Sequence, residues 1–139
     1  MTGLMAGKRG LIMGVANNRS IAWGIAKSCA AHGAELAFTY QNERFKDRVT
    51  DMAADFGSSW VFPCDVAEDA QIDSLFRALG EHWDGLDGLV HSIAFAPNEA
   101  IEGDFLEGIS RESFRIAHDV SSYSFPALAK GARPLLLPL

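Results

Sequence analysis

Four short apolar segments, rich in β-branched and aromatic residues, alternate with amphipathic segments along the first two thirds of the chain. Each apolar segment is nearly continuous, which is typical of a strand covered on both faces of a parallel sheet. The predicted strands span residues 9–14, 34–40, 58–63 and 88–93.

Between these strands, apolar residues recur three or four apart, the spacing of a helix with one buried face. The predicted buried faces are Ile21, Ala22, Ile25, Ala26 and Cys29, then Phe45, Val49, Met52 and Phe56, then Ile72, Leu75, Phe76 and Leu79. Gly33 and Gly57 follow the first two helices, where a left-handed residue commonly ends a helix. Asp65, Glu68 and Asp69 place negative charge at the start of the third. The alternation predicts an α/β fold, a Rossmann-type doubly wound parallel sheet.

A further amphipathic helix is predicted over residues 111–130, directing Phe114, Ala117, Val120 or Ser121, Ser124 and Leu128 inward. Pro134 and Pro138 then flank a leucine cluster, so the helix stops and no strand is expected to follow. A complete doubly wound sheet has about six strands. We therefore expect a sheet truncated after its fourth strand and the following helix, with a dinucleotide-binding half-domain over 1–134 and an aberrant apolar tail over 135–139.

Composition restricts the function. The 139 residues are 48% hydrophobic and 22% charged, as expected for one globular domain, and the net charge of −6 argues against nucleic-acid binding. No apolar run approaches the roughly 18 residues of a membrane span, and no signal peptide is evident, which predicts a cytoplasmic protein with no membrane partner. Cys29 and Cys64 form no C-x-x-C pair, and the four histidines lack ligand spacing, so no metal site is expected.

The turn after the first strand is the first candidate for chemistry. In this fold a pyrophosphate lies at the helix N-terminus, where N–H groups are unpaired. Gly14 permits a tight turn and small Ser20 and Ala22 permit close approach, but only the first glycine of G-x-G-x-x-G is present. The turn alone leaves a nucleotide site and an ordinary capped helix both open.

The other strand ends converge on the same crevice in such sheets. Gln41 stands where dinucleotide sites usually carry the acidic residue that holds the adenosine ribose. With Arg44 and Lys46 close in sequence, both NADH and NADPH remain open. Asp65 is either a crevice residue or a helix cap. A receiver-like signalling domain is disfavoured, because Gly14-Val15-Ala16 cannot hold Mg²⁺.

Five motifs in order carry a resemblance that covers residues 7–133. They are Gly14-Val15-Ala16 with Ser20-Ile21-Ala22, Glu35-Leu36-Ala37-Phe38-Thr39-Tyr40-Gln41, Cys64-Asp65-Val66, His91-Ser92-Ile93-Ala94-Phe95-Ala96-Pro97, and Ala117-His118-Asp119 with Ser121-Ser122-Tyr123-Ser124-Phe125. The chain resembles the bacterial NADH-dependent enoyl-acyl-carrier-protein reductases, a divergent branch of the short-chain dehydrogenases/reductases.

The resemblance implies hydride transfer from NADH to the β-carbon of a trans-2-enoyl thioester on acyl carrier protein, in bacterial type II fatty acid synthesis. The family's cofactor contacts carry over onto Gly14, Ser20, Ile21, Gln41, Asp65, Val66 and Ile93, and its substrate contact onto Ala96. These matches favour NADH over NADPH, and the full-length family implies a homotetramer.

The family's catalytic tyrosine and lysine follow a fifth strand, beyond the end of this chain. Tyr123 and Lys130 have the same spacing but precede that strand, so Tyr123 is expected to pack rather than to catalyse. We therefore expect the chain alone to be inactive and to self-associate through its open sheet edge and leucine tail. A non-catalytic nucleotide-binding module and one piece of a split reductase remain as alternatives.

Overall fold

The computed structural model describes residues 3–138. Met1, Thr2 and Leu139, the last residue of the predicted tail, lie outside the described residues. The strands are Arg9–Met13 (β1), Glu35–Tyr40 (β2), Val61–Pro63 (β3) and Gly88–His91 (β4). They form one parallel sheet in the order β3-β2-β1-β4. The predicted α/β parallel sheet is confirmed, and β4 is a terminal strand of it.

Seven helices are found among residues 3–138. They are Ile21–Ala31 (α1), Glu43–Asp55 (α2), Asp69–Gly80 (α3), Asn98–Ile101 (α4), Phe105–Gly108 (α5), Arg111–His118 (α6) and Ser124–Ala132 (α7). A π-helical turn, Asp119–Tyr123, joins α6 to α7 and is called the π-turn below. Gly33 and Gly57 follow α1 and α2 with positive φ angles of 94° and 75°, as predicted. The short helices α4 and α5 were not predicted.

Both faces of the sheet are covered, as the continuous apolar strands predicted. On one face, Ile12 and Phe38 pack with Ala22 and Ala26 of α1 and Val49 of α2. On the other face, a second cluster joins the sheet to α3 and α7; its members include Leu11, Met13, Ala37, Ile72, Leu75, Leu79, Leu128 and Ala132. The predicted buried faces of α2 and α3 are confirmed by these two clusters.

All four strands are shorter than predicted, and for β3 and β1 the structure shows the reason. Before β3, the Ser58 hydroxyl donates to the Leu36 carbonyl at 2.6 Å and accepts from the Trp60 N–H at 3.1 Å. The Ser58 side chain thus replaces main-chain hydrogen bonds between this segment and β2, and regular pairing of β3 with β2 begins only at Val61. At the carboxyl edge of the sheet, β1 ends at Met13 because the next residue, Gly14, has a φ of 105°, which turns the chain away from the sheet.

The predictions that Ile21 and Phe114 point into the core are wrong. Ile21 is 76% exposed, because α1 approaches the sheet through the small residues Ala22 and Ala26. Phe114 is 55% exposed, and Ser113 is buried in its place. The predicted helix over 111–130 is interrupted by the π-turn, and a π-turn takes up one extra residue. The buried face of α6 is therefore shifted by one position from that of an uninterrupted helix.

The C-terminal segment contacts the chain just before β4. The Leu86 N–H donates to the Leu135 carbonyl at 2.7 Å, and the Leu137 N–H donates to the Leu86 carbonyl at 3.0 Å. Leu136 thereby forms an isolated parallel bridge with Leu86, and no regular strand follows α7 in the described residues, as the sequence predicts. Leu135 packs against the core, whereas Leu136 and Leu137 are 41% and 48% exposed. The boundary between domain and tail stays a prediction.

Candidate functional site

The carboxyl ends of all four strands meet around one cavity of about 210 Å³. Its lining comprises Gly14, Val15, Ala16, Thr39, Tyr40, Gln41, Phe45, Cys64, Asp65, Val66, Ser92, Ile93, Ala94, Phe95 and Val120. We call this cavity the crevice. Ligands of open α/β sheets bind at this edge, where successive connections leave the sheet in opposite directions. In this chain that point lies between β1 and β4.

Gly14 brings the ends of β1 and β4 together. Its φ of 105° is one that side-chain-bearing residues rarely adopt. A Cβ atom built on Gly14 would overlap the main-chain oxygen of Ser92. The position therefore requires glycine on two independent grounds, and the close approach leaves main chain as the floor of the crevice.

The turn after β1 is held by its own polar side chains. The Asn17 side chain accepts from the Arg19 N–H at 2.8 Å, and the Ser20 hydroxyl donates to the Asn17 carbonyl at 2.8 Å. Ser20 also caps α1, accepting from the Trp23 N–H at 3.3 Å. The first amides of α1, beginning at Ile21, have no acceptor within the helix and offer a site for negative charge. Ser20 and Ile21 lie at this turn rather than in the lining of the crevice.

The end of β2 contributes Tyr40 and Gln41. Tyr40 is buried, its hydroxyl donates to Glu43 at 3.5 Å, and burial followed by the nearby Glu43 carboxylate raises the pKa of the phenol. Gln41 is exposed and lines the crevice. Lys46 pairs with Glu43 at 3.8 Å, and the Arg44 guanidinium lies 5.7 Å from the Phe45 ring. Neither Arg44 nor Lys46 lines the crevice.

The end of β3 contributes Cys64 and Asp65. Burial, with a smaller contribution from the Asp65 carboxylate, raises the pKa of the Cys64 thiol to about 12, so the thiol is neutral and unreactive near pH 7. Asp65 accepts from the Ala67 N–H at 3.0 Å through Oδ1, and its own N–H donates to Gln71 at 2.7 Å. Its carboxylate caps the turn before α3, not the helix itself, and Oδ2 accepts no hydrogen bond from a described residue.

Five of the seven predicted cofactor positions are brought together in the crevice: Gly14, Gln41, Asp65, Val66 and Ile93. The predicted substrate position, Ala96, lines a separate shallow groove beside Phe114 and His118. Sequence reasoning missed Thr39, Phe45 and Val120. Strand alternation places Thr39 on the face opposite Phe38 and Tyr40 and could have indicated it. Phe45 reaches the crevice from the first turn of α2, and Val120 reaches it from the π-turn, which is distant in sequence.

Tyr123 does not pack as expected, since it is 56% exposed. It lies at the end of the π-turn, outside the crevice lining, and the same turn directs Val120 into the crevice instead. Within residues 3–138, no helix is both long and apolar enough to cross a membrane. Over the same range, no three histidine, cysteine or acidic side chains form a group able to hold a metal ion.

A family model described as enoyl-(acyl carrier protein) reductase matches residues 14–138. The chain is 59% identical over 134 residues to the enoyl-acyl-carrier-protein reductase (NADH) FabI of Neisseria meningitidis, covering 96% of this chain and 51% of that protein. It is 54% identical over 136 residues to the FabI of Escherichia coli, covering 98% and 52%. The chain thus spans about half the length of the curated relatives it matches.

Solved structures agree with these relatives. An enoyl-acyl-carrier-protein reductase (NADH) from Aquifex aeolicus superposes with a TM-score of 0.93 at 51% identity, covering 96% of this chain and 57% of that one. The reductase from Anaplasma phagocytophilum, solved in complex with NAD, superposes with a TM-score of 0.91 at 42% identity, covering 97% and 51%. The fold, the crevice and these matches together establish that the chain belongs to the enoyl-(acyl carrier protein) reductase family.

Proposed function

We propose that this chain is the cofactor-binding half of an NADH-dependent enoyl-acyl-carrier-protein reductase. The reaction would be hydride transfer from NADH to the β-carbon of an enoyl thioester carried by acyl carrier protein, in bacterial type II fatty acid synthesis in the cytoplasm. The observation that carries the proposal is the crevice itself, where Gly14 meets Ser92 and all four strand ends converge.

The described residues fit a dinucleotide. Gly14 lets the main chain of β1 lie directly against that of Ser92, so that main chain forms the floor on which a pyrophosphate would lie. The amides that begin α1 with Ile21 carry the positive end of the helix dipole. Gln41, at the end of β2, would hold the adenosine ribose. Asp65 offers Oδ2 as an acceptor, and Val66 and Ile93 supply apolar walls. When bound, NADH supplies the hydride.

Charges near Gln41 support NADH over NADPH. A 2′-phosphate needs a cation close to the end of β2. Lys46 is paired with Glu43, Arg44 lies against Phe45, and neither cation lines the crevice. A 2′-phosphate in the crevice would therefore have no cationic side chain among the described lining residues to pair with, so NADPH is expected to bind more weakly than NADH.

Calorimetric titration with NADH tests the proposal. Gln41→Ala and Asp65→Ala are each expected to weaken binding about threefold to tenfold, the effect of losing one hydrogen bond. Glu68→Ala is the matched control, because Glu68 is an exposed carboxylate three residues from Asp65 with no side-chain cap bond and outside the crevice lining. Unchanged NADH affinity in both crevice variants would remove these side chains from the site.

A non-catalytic nucleotide-binding module is the second candidate. It is favoured by one observation: Tyr123 lies outside the crevice lining, so no described tyrosine other than the buried Tyr40 borders the site. NADH binding without reduction of a crotonyl thioester, either by this chain or by a version extended to the length of its relatives, would favour this candidate. Reduction by the extended version would favour the reductase.

The family's subunit assembly and its acyl-carrier-protein partner belong to the same proposal. The extended protein is expected to form a homotetramer and to accept the thioester near Ala96, which borders the groove next to the crevice.

A further inference from the structure

Residues 92–95, which follow β4, form one wall of the crevice, and the side chain of Ser121 holds the end of this wall. The Phe95 N–H donates to Ser121 Oγ at 2.9 Å, and the same hydroxyl donates back to the Phe95 carbonyl at 3.1 Å. Ser121 thus satisfies both main-chain groups of one residue in a segment that has left the sheet. Residues 92–95 of this segment line the crevice.

A second bond fixes the π-turn against β4. Ser124 is fully buried and donates its one hydroxyl proton to the Val120 carbonyl at 2.6 Å. The 2.7 Å contact between Ser124 Oγ and His91 Nε2 must then have the histidine as donor, because the hydroxyl proton is already used. The helical segment carrying Ser121 is therefore anchored to the end of β4 from within the core.

The position of this wall identifies the part of a dinucleotide it would contact. In doubly wound sheets the end of β2 holds the adenosine ribose and the turn after β1 holds the pyrophosphate. The order β3-β2-β1-β4 places β4 on the opposite side of β1 from β2. A dinucleotide laid across the crevice therefore has its nicotinamide half against residues 92–95.

We propose that Ser121 is a positioning residue that sets the wall for the nicotinamide half of the cofactor by holding the main chain of Phe95. The inference rests on the proposed function of the crevice. The π-turn contributes because such turns re-aim side chains at functional sites. Here it directs Ser121 to Phe95, Val120 into the crevice and Ser124 to His91.

The test uses the full chain with three substitutions. Ser121→Ala removes the hydroxyl, Ser121→Thr retains it, and Ser122→Ala is the control, since Ser122 is exposed, lies outside the crevice lining and makes no side-chain hydrogen bond to a described residue. Calorimetry measures the dissociation constants of NADH and of ADP, which lacks the nicotinamide half. Amide hydrogen exchange by NMR reports the Phe95 N–H directly.

Ser121→Ala is expected to weaken NADH binding about threefold to tenfold and to speed exchange at Phe95 by a similar factor, the effect of one lost hydrogen bond. ADP affinity is expected to stay unchanged, and Ser121→Thr and Ser122→Ala to behave like the unaltered chain. A merely structural role would weaken NADH and ADP alike, so a parallel loss overturns the inference.

Equal NADH affinity in Ser121→Ala and the unaltered chain, or unchanged exchange at Phe95, also overturns it while leaving the proposed cofactor site intact. If the unaltered chain binds neither NADH nor ADP, the proposed function fails and the inference fails with it. The two failures are therefore distinguishable in one set of titrations.

Discussion

Replacing Gly14 by alanine is expected to cause a large loss of stability at the crevice. The substitution places a methyl group where φ is 105° and where the Cβ would overlap the Ser92 main-chain oxygen. A side-chain movement cannot relieve the overlap, because the obstacle is main chain. That main chain is itself held in place, since the Ser92 N–H is bonded to the Met13 carbonyl at 3.1 Å. The ends of β1 and β4 must separate to admit the methyl group.

The magnitude follows from two contributions. Holding a non-glycine residue at positive φ costs about 2 kcal/mol. Separating packed main chain to admit an extra carbon costs about another 2 kcal/mol. The free energy of unfolding should fall by about 4 kcal/mol, a substantial part of the roughly 5–15 kcal/mol of an ordinary domain.

Gly57→Ala is the matched control, because Gly57 also has a positive φ, 75°, but nothing lies within 4 Å of a Cβ built there. It should lose only the conformational contribution, about 1–2 kcal/mol. Urea unfolding followed by tryptophan fluorescence, to which the buried Trp83 contributes, measures both losses. Losses that agree within about 0.5 kcal/mol would refute the steric reasoning, since that is the usual accuracy of comparing two sites.

Three further predictions concern pH, association and turnover. The folded pKa of Cys64, about 12, lies above the ordinary value of 9.0, so the unfolded chain ionises first as pH rises and stability falls between these values. Between these values the free energy of unfolding should fall by up to about 1.4 kcal/mol per pH unit. Urea unfolding measured from pH 8 upward should show a smaller fall with pH in Cys64→Ala. An identical fall in both proteins would contradict the raised pKa of Cys64. The chain is expected to elute in gel filtration above its 15.0 kDa mass, because β4 ends the sheet and Leu136 and Leu137 are half-exposed. Leu136→Lys should reduce this association, and a compact monomer at high concentration would defeat the idea. Finally, the 139-residue chain is expected not to reduce a crotonyl thioester, because Tyr123 lies outside the crevice lining; turnover that disappears in Tyr123→Phe would reverse this conclusion.

Features governed by local periodicity were predictable from the sequence. Helix α3 is the clearest case, since all four residues of its predicted face, Ile72, Leu75, Phe76 and Leu79, are buried. The left-handed residues Gly33 and Gly57 were equally predictable, because a helix end requires a particular backbone conformation within a few residues. Strand-end positions such as Gly14, Gln41 and Asp65 could be assigned to one crevice because parallel strands end at a common edge.

Only the tertiary structure decided features that depend on segments distant in sequence. Ile21 has the right spacing to be buried, but α1 lies against the sheet through Ala22 and Ala26, so Ile21 is left exposed. The spacing of Phe114 is also correct for an uninterrupted helix, and only the π-turn changes which side is buried.

The bond between Ser121 and Phe95 spans 26 residues and has no signature in the local pattern. Periodicity reports which face of an element is apolar, whereas its contact with another element depends on how closely their backbones can approach. Small residues and turns determine how closely two backbones can pack. In this chain they are Gly14, Ala22 and the π-turn, and their influence can be seen only once the segments are packed together.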